Sequence, residues 1–200
     1  MKRILCTAGV LALTAGLAAC GSSTKSVAHP AAAGTVRAVS GTEVIRAEIT
    51  GAKAAKDIGS NSNTPPVFPA VTFTGPVATH VRLFRLGSGN SKGSAFRTPA
   101  GVLYLLHSKG TSQKNPDVTG QSGRVCYFRQ VASEGTWTAV PAKSTGKFAG
   151  AAGHGTFTLT IIAAADLLPG KTKCTSGNTG NPLAKGASIV FDASGPLTVK

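Results

Sequence analysis

Apolar and polar residues alternate with a period of two over much of the chain from residue 42 onward, the spacing of strands with one buried face. Thr42 to Thr50 (T-E-V-I-R-A-E-I-T) sets Val44, Arg46 and Glu48 on one side and Glu43, Ile45, Ala47 and Ile49 on the other. Val71 to Leu86 is rich in β-branched and aromatic residues, and Gly75-Pro76 divides it, as a bend between two strands or a bulge in one. Its second part sets Val77, Thr79, Val81 and Leu83 opposite Ala78, His80, Arg82 and Phe84. Gly101 to His107 is apolar on both sides, with Leu103, Leu105 and His107 opposite Val102, Tyr104 and Leu106, which predicts a strand that is central or packed on both faces. Arg124 to Ala132 alternates again, and Ser133-Glu134-Gly135 predicts a hairpin into Thr136 to Val140. Gly155 to Ala164, Ala187 to Phe191 and Pro196 to Val199 complete the strands, the last two kinked at Gly195-Pro196.

The intervals between these runs read as loops. Gly51 to Ala70 holds Gly59 and Pro65, Pro66 and Pro69, so a long loop is expected there. Gly87 to Gly93, Gly110 to Gly123 with Asn115-Pro116-Asp117, Pro141 to Gly146, and Asp166 to Gly186 read the same way. No segment carries a convincing helical period. The expected fold class is all-β: about eight strands in a single antiparallel β-barrel, with a β-sandwich as the alternative, since either arrangement hides the sheet edges.

The front of the chain differs in kind. Lys2 and Arg3 precede an apolar run from Ile4 to Leu17, followed by Ala18, Ala19 and Cys20. Basic start, short apolar core and small residues are the order of an export signal, and the core is too short to span a bilayer as a permanent helix. Leu17-Ala18-Ala19-Cys20 resembles the processing site of bacterial lipoproteins; the competing readings are an ordinary secretory signal or a cytosolic protein with an apolar start. The resemblance implies that Cys20 becomes the first residue, carrying a thioether-linked diacylglyceryl group and often an amide-linked acyl chain. Each buried methylene contributes about 0.8 kcal/mol, so two or three chains anchor stably where one is marginal. The expected organisation is therefore a signal peptide at 1–19, a lipidated flexible tether at 20–40 built of Ser, Thr, Ala and Gly, and a β-barrel domain at 41–200. The site of action this implies is the extracytoplasmic face of the cell membrane. By the same resemblance, Gly21 after the cysteine does not favour retention in the inner of two membranes.

Composition agrees with strands joined by glycine turns. Aromatic residues are 6% and charged residues 14% of the 200, with 25 glycines, a mix poor for charged amphipathic helices. Lys and Arg number 21 against seven Asp and Glu, for a formal net charge of +14. Such a surface is drawn to anionic headgroups, acidic envelope polymers or acidic ligands, or simply keeps the protein soluble. Export argues against nucleic acid as a partner, and no aromatic residues interleave with the basic ones as a stacking platform requires.

Of the four cysteines, Cys6 lies in the apolar run and Cys20 at the processing site. Cys126 and Cys174 remain in the domain, outside the cytoplasm, and are expected to form a disulfide. Neither has a C-x-x-C partner or a histidine at ligand spacing. Other motifs are weaker. Gly89-Asn90-Ser91-Lys92-Gly93 matches G-x-S-x-G, but Ala95 to Gly101 with Pro99 does not read as the helix that a nucleophile elbow needs. Ser144-Thr145-Gly146-Lys147 matches S-x-x-K without its partner motifs. His80, His107 and His154 would form a zinc site only by meeting in a barrel mouth, and the preferred reading keeps them as ordinary strand residues. No catalytic residue, metal ligand or cofactor is assigned.

The run Lys143 to Ile162 (K-S-T-G-K-F-A-G-A-A-G-H-G-T-F-T-L-T-I-I) resembles the glycine-rich hairpin of the allene oxide cyclase-like and dirigent-like β-barrels, close to G-T-G-+-F-A-G-A-x-G-x-G-T-Y, where + is basic. Ser144-Thr145-Gly146 stands at the family's Gly-Thr-Gly, and His154 at its variable position. Ala193-Ser194-Gly195-Pro196-Leu197 is similar to the tail of bacterial secreted members. The resemblance implies a barrel but no activity, because the plant cyclase's pocket residues have no placeable counterparts here. The expected function is a membrane-anchored lipoprotein whose barrel is a non-catalytic binding or structural module, holding a small apolar or anionic ligand at its mouth. The alternative is a barrel enzyme of cyclase-like or hydrolytic type acting on a small apolar ligand. That alternative predicts a carboxylate or histidine held against a partner in a pocket, and it gains if Glu48, or Arg46 and Arg82, point inward.

Overall fold

The computed structural model describes residues 37–60, 65–85, 93–108 and 110–200; the expected signal peptide, Cys20 and nearly all of the tether lie outside the described residues. The first strand, β1 (Val39–Thr50), starts ahead of the expected boundary at residue 41 and buries Glu43, Ile45, Ala47 and Ile49, the face its alternation assigns to the interior. It is followed by a helix, α1 (Gly51–Gly59), where a loop was expected. Ala and Lys are strong helix formers, Ala54 and Ile58 are one turn apart on the packed side, and Lys53 bonds Asp57 at 2.7 Å across the outer turn. The three prolines that suggested a loop all come after it.

β2 (Val67–Thr74) and β3 (His80–Arg85) form the next hairpin. The turn falls at Gly75-Pro76 as expected, but the faces of β3 do not. Phe84 is buried together with Val81, as Phe68 is with Val71. The β2–β3 pairs keep one register from Val67↔Arg85 to Thr72↔His80, while the buried positions of β2 shift by one residue between Phe68 and Val71, around Pro69. β4 (Gly93–Thr98) and β5 (Gly101–His107) form a second hairpin. β5 is central, paired with β4 on one side and β7 on the other, as its two-sided apolar pattern predicts; its Leu103, Leu105 and His107 face is buried, whereas Leu106 on the other face is 46% exposed.

Two long strands follow. β7 (Val125–Ala139) runs straight through Ser133-Glu134-Gly135, where a hairpin was expected, with a register shift against β8 between Val131 and Ser133. Gly135 is there for close packing rather than turning: a Cβ would sit 2.7 Å from Ser108 Oγ and 3.0 Å from the Phe157 ring. Ahead of β7, the stretch read as a polar loop contains a short strand, β6 (Asp117–Ser122), that pairs with it. Two 3-10 turns (Pro141–Lys143 and Gly146–Phe148) lead to β8 (Ala152–Leu167), and another short strand, β9 (Thr179–Pro182), pairs with β8. The last strand, β10 (Ser188–Val199), is continuous and not kinked at Gly195-Pro196. Its ladder to β8 lapses between Ser194↔Thr156 and Leu197↔Gly153, so the proline costs no bond on that side while Thr42 of β1 pairs it on the other.

Eight antiparallel strands in the order β3-β2-β1-β10-β8-β7-β5-β4 make one sheet nearly closed into a barrel, as the alternation predicts. Across the seam between β3 and β4, Phe84 stacks on Phe96 with ring centroids 4.3 Å apart, and Phe73 meets Phe96 edge-on at 4.9 Å. Phe68, Leu103, Leu105, Trp137, Phe191 and Leu197 fill the interior, each at most 1% exposed. This barrel is packed with side chains rather than hollow.

Candidate functional site

The clearest concave surface lies at the barrel end reached by α1. β7 and β8 run on past the main core there, and their inner face continues into a second apolar cluster of Cys126, Phe128, Ala163, Ala165 and Leu167. Ile58 of α1 packs against both clusters. The Cys126–Cys174 disulfide, with Cα atoms 5.6 Å apart, ties the loop ahead of β9 onto β7 beside this cluster, as the sequence predicts. Between these covers a groove remains. One part, about 640 Å³, is lined by Ile58, Val67, Leu159, Ile161 and Ile189 with Lys53, Asp57 and Gln130 among its polar residues. A smaller part of about 130 Å³ continues it over Phe128, Ala163 and Ala165 and shares Ile58, Gln130 and Ile161.

The polar rim is held in place. Gln130 donates from Nε2 to the Gln113 carbonyl at 2.9 Å, and Gln113 accepts the Val131 N–H on its own Oε1 at 3.1 Å, which fastens residue 113 across β7 at the groove. Lys53 and Asp57 form their ion pair on the adjoining helix turn. The lining is thus chiefly aliphatic with a few oriented polar groups, the make-up of a site for a small, largely apolar molecule.

Inside the barrel the structure buries two polar groups, a His107–Ser94 pair and Glu43. His107 on β5 and Ser94 on β4 are 2.8 Å apart, Nε2 to Oγ, at 8% and 1% exposure. The His107 ring lies edge-on to Phe157 at 5.0 Å and to Phe191 at 6.3 Å. Burial among these rings lowers the imidazole to about 4, so it is neutral near pH 7. A serine hydroxyl within hydrogen-bond distance of a neutral histidine has the spacing of a nucleophile and its base. Neither residue lines the groove.

Glu43 is the second group. Its Oε2 accepts the Val77 N–H at 2.8 Å, while Oε1 is buried with no hydrogen-bond partner. Burial raises its carboxyl above the ordinary carboxylate range, with the Val77 bond working in the opposite direction. The sequence does contain a signal for it, since Glu43 shares the face of Ile45, Ala47 and Ile49.

The remaining candidates stay apart. His80 is on the exposed side of β3, 3.3 Å from Thr72 Oγ1, and His154 is exposed on β8, so the three histidines do not meet. Among the described residues no cluster of three His, Cys, Asp or Glu is disposed to hold a metal. Arg46, Glu48 and Arg82 face outward, Arg46 pairing with Asp192 at 3.3 Å. Asn90 and Ser91 lie outside the described residues, and Gly93 after them opens a strand, not a helix. Ser144 is structural: its hydroxyl accepts the Tyr104 N–H at 3.1 Å and donates to the Val140 carbonyl at 3.0 Å. No helix among the described residues is long and apolar enough to cross a membrane. Compared with known proteins, the chain matches no family model, no curated protein and no solved structure.

Proposed function

We propose that the chain is an exported lipoprotein, anchored by acyl groups on Cys20 to the outer face of the cell membrane, whose barrel binds a small apolar ligand in the mouth groove without transforming it. The aliphatic groove along Leu159, Ile161 and Ile58 carries this reading, because it is the concave apolar surface that the covers around the second cluster leave open. Its size suits a ligand of several hundred Å³ or less, and Lys53, Asp57 and Gln130 can fix a polar end. The export signal and the Leu17-Ala18-Ala19-Cys20 sequence support the anchor. The resemblance of Lys143 to Ile162 to the allene oxide cyclase-like barrels supports the same architecture and names no ligand. The enzymatic alternative draws on Ser94 and His107, but their enclosure favours binding over catalysis.

Purification of the protein from bacterial membranes followed by mass spectrometry would read the lipid on Cys20 and any retained small molecule together. Titration with an environment-sensitive apolar dye then tests the groove. Ile161→Trp should weaken dye binding about tenfold or more by filling the cavity, whereas Ile162→Trp, on the outer face of the same strand and 39% exposed, should leave it unchanged. Equal effects of the two substitutions, or chemical turnover of the retained molecule, would remove the proposal.

A further inference from the structure

The end of the barrel opposite the groove has a different character. Here β1 begins at Val39, β10 ends at Val199, and the 75–79 turn, residues 98–101 and the Gly146–Phe148 turn meet around a shallow cavity of about 920 Å³. Arg37, Lys147 and Lys200 line it, and all three are exposed. Between them Val39, Ala78, Ala100 and Ala149 present exposed apolar groups, Val39 at 52%. Lys143 lies one short turn away, its ammonium 4.7 Å from the Tyr104 ring centre. No acidic residue lines this surface. Glu43, behind the 75–79 turn, is fully buried. The other acids sit at or beyond mid-barrel: Asp192 and Glu134 both pair with Thr158 of β8, Glu48 pairs with Val190, Asp57 is on α1, Asp117 pairs with Arg129 of β7, and Asp166 is at the far end of β8.

We propose that this basic, apolar-tipped end docks on the surface of an anionic lipid bilayer, with Arg37, Lys147 and Lys200 on headgroup phosphates and Val39, Ala78 and Ala149 at the headgroup level. Cations ringing small apolar groups match both features of such a surface, its negative potential and its apolar boundary. The position of the chain's entry argues for the same partner. The segment that carries Cys20 joins the barrel at Val39, on this very end, so of the barrel's surfaces this one lies nearest along the chain to an acylated terminus. The inference rests on the proposed anchor for that proximity. Its consequence is an orientation in which the groove faces away from the bilayer.

The test separates the docking surface from the anchor by leaving the anchor out. The chain from Gly21 onward contains all of the compact unit Val36–Lys200, which holds the whole core. It should cosediment with vesicles of phosphatidylcholine and phosphatidylglycerol and not with phosphatidylcholine alone. Reversal of three charges (R37E, K147E and K200E together) should weaken binding at least a hundredfold, since the loss of the three cations alone costs a factor of roughly five each near an anionic surface. Reversal of three exposed lysines at the other end (K171E, K173E and K185E) should change it far less. A tryptophan at Ala149 (A149W) should blue-shift on anionic vesicles, which reads insertion without any charge change. Equal binding to both vesicle types, equal losses in the two triple variants, or retention on immobilised polyphosphate without vesicle binding would each overturn the proposal. A Cys20 found unmodified by mass spectrometry of the full-length product would instead remove the anchor alone.

Discussion

His107 makes stability depend on pH in a direction that can be worked out beforehand. Its imidazole is held at about 4 in the folded barrel against an ordinary 6.5, with burial as the cause. The groups packed on it, Ser94, Phe157 and Phe191, carry no charge that would stabilise an imidazolium. Between those two values the unfolded chain binds a proton that the folded one refuses. The contribution to stability is therefore complete above pH 6.5 and is lost as pH falls toward 4. A difference near 2.5 units at about 1.4 kcal/mol per unit amounts to about 3 kcal/mol, a large share of what an ordinary domain has. Glu43 acts with the opposite sign. Its raised carboxyl favours the fold most at low pH and less as pH rises through its folded value, so it offsets part of the His107 slope. The clean measurement uses Glu43→Gln as background, with urea unfolding at a series of pH values from 7 to 4 and the disulfide intact. The one tryptophan, Trp137, is 1% exposed and reports the transition. The background should lose about 3 kcal/mol over that range, and His107→Gln added to it should remove the loss. A flat profile before the second substitution, an unchanged slope after it, or an imidazole seen by NMR to titrate near 6.5 would refute the reasoning.

Two further predictions concern how the barrel is held. Joint replacement of Cys126 and Cys174 by serine opens a loop with a sequence separation of 48, for which chain entropy gives a loss of about 4 kcal/mol by chemical denaturation, and loosening should start around the second apolar cluster. Gly155→Ala should cost about 3 kcal/mol or prevent folding, since a Cβ there would lie 2.0 Å from the Ser194 carbonyl oxygen and 2.7 Å from Trp137, whereas Gly177→Ala meets nothing within 4 Å and should be neutral; thermal melts of the pair decide it.

What was legible in the sequence followed from local alternation. The inward face of β1, the strand at Gly101 to His107 and the cysteine pair all rest on signals contained within a few residues or on the redox compartment. The errors share one cause: a residue type with two uses. Gly135 reads as a turn former, but it is needed because Phe157 on the neighbouring strand presses on it. Gly195-Pro196 reads as a kink, but the proline falls where the ladder to β8 is already open. Pro65, Pro66 and Pro69 were spread backward over a segment whose first half, Gly51–Gly59, is helical. The pairing of Ser94 with His107 was out of reach for another reason: it depends on the register of β4 on β5, which neither strand states alone.

The groove itself follows from strand lengths. β5 has seven residues and pairs with β7 only from Trp137 to Ala139, while β7 has 15 and β8 has 16. A barrel closes only to the height of its shorter strands, so the long pair must project beyond it with an inner face that no facing sheet covers. At roughly 3.3 Å per residue the excess is about 30 Å on each strand, bearing Phe128, Leu159, Ile161, Ala163, Ala165 and Leu167. Left bare, these would form an exposed apolar patch of the sort that monomers avoid or use. The rest of the chain supplies partial cover: α1 from one side, β9 from another, and the Cys174 loop fastened by its disulfide. Lys53 and Asp57 turn the polar face of α1 to solvent while Ala54 and Ile58 close against the strands. Cover that were purely structural would seal the face by packing, as the aromatic rings do in the barrel interior. Here it stops short along Leu159 and Ile161, and that gap is the groove.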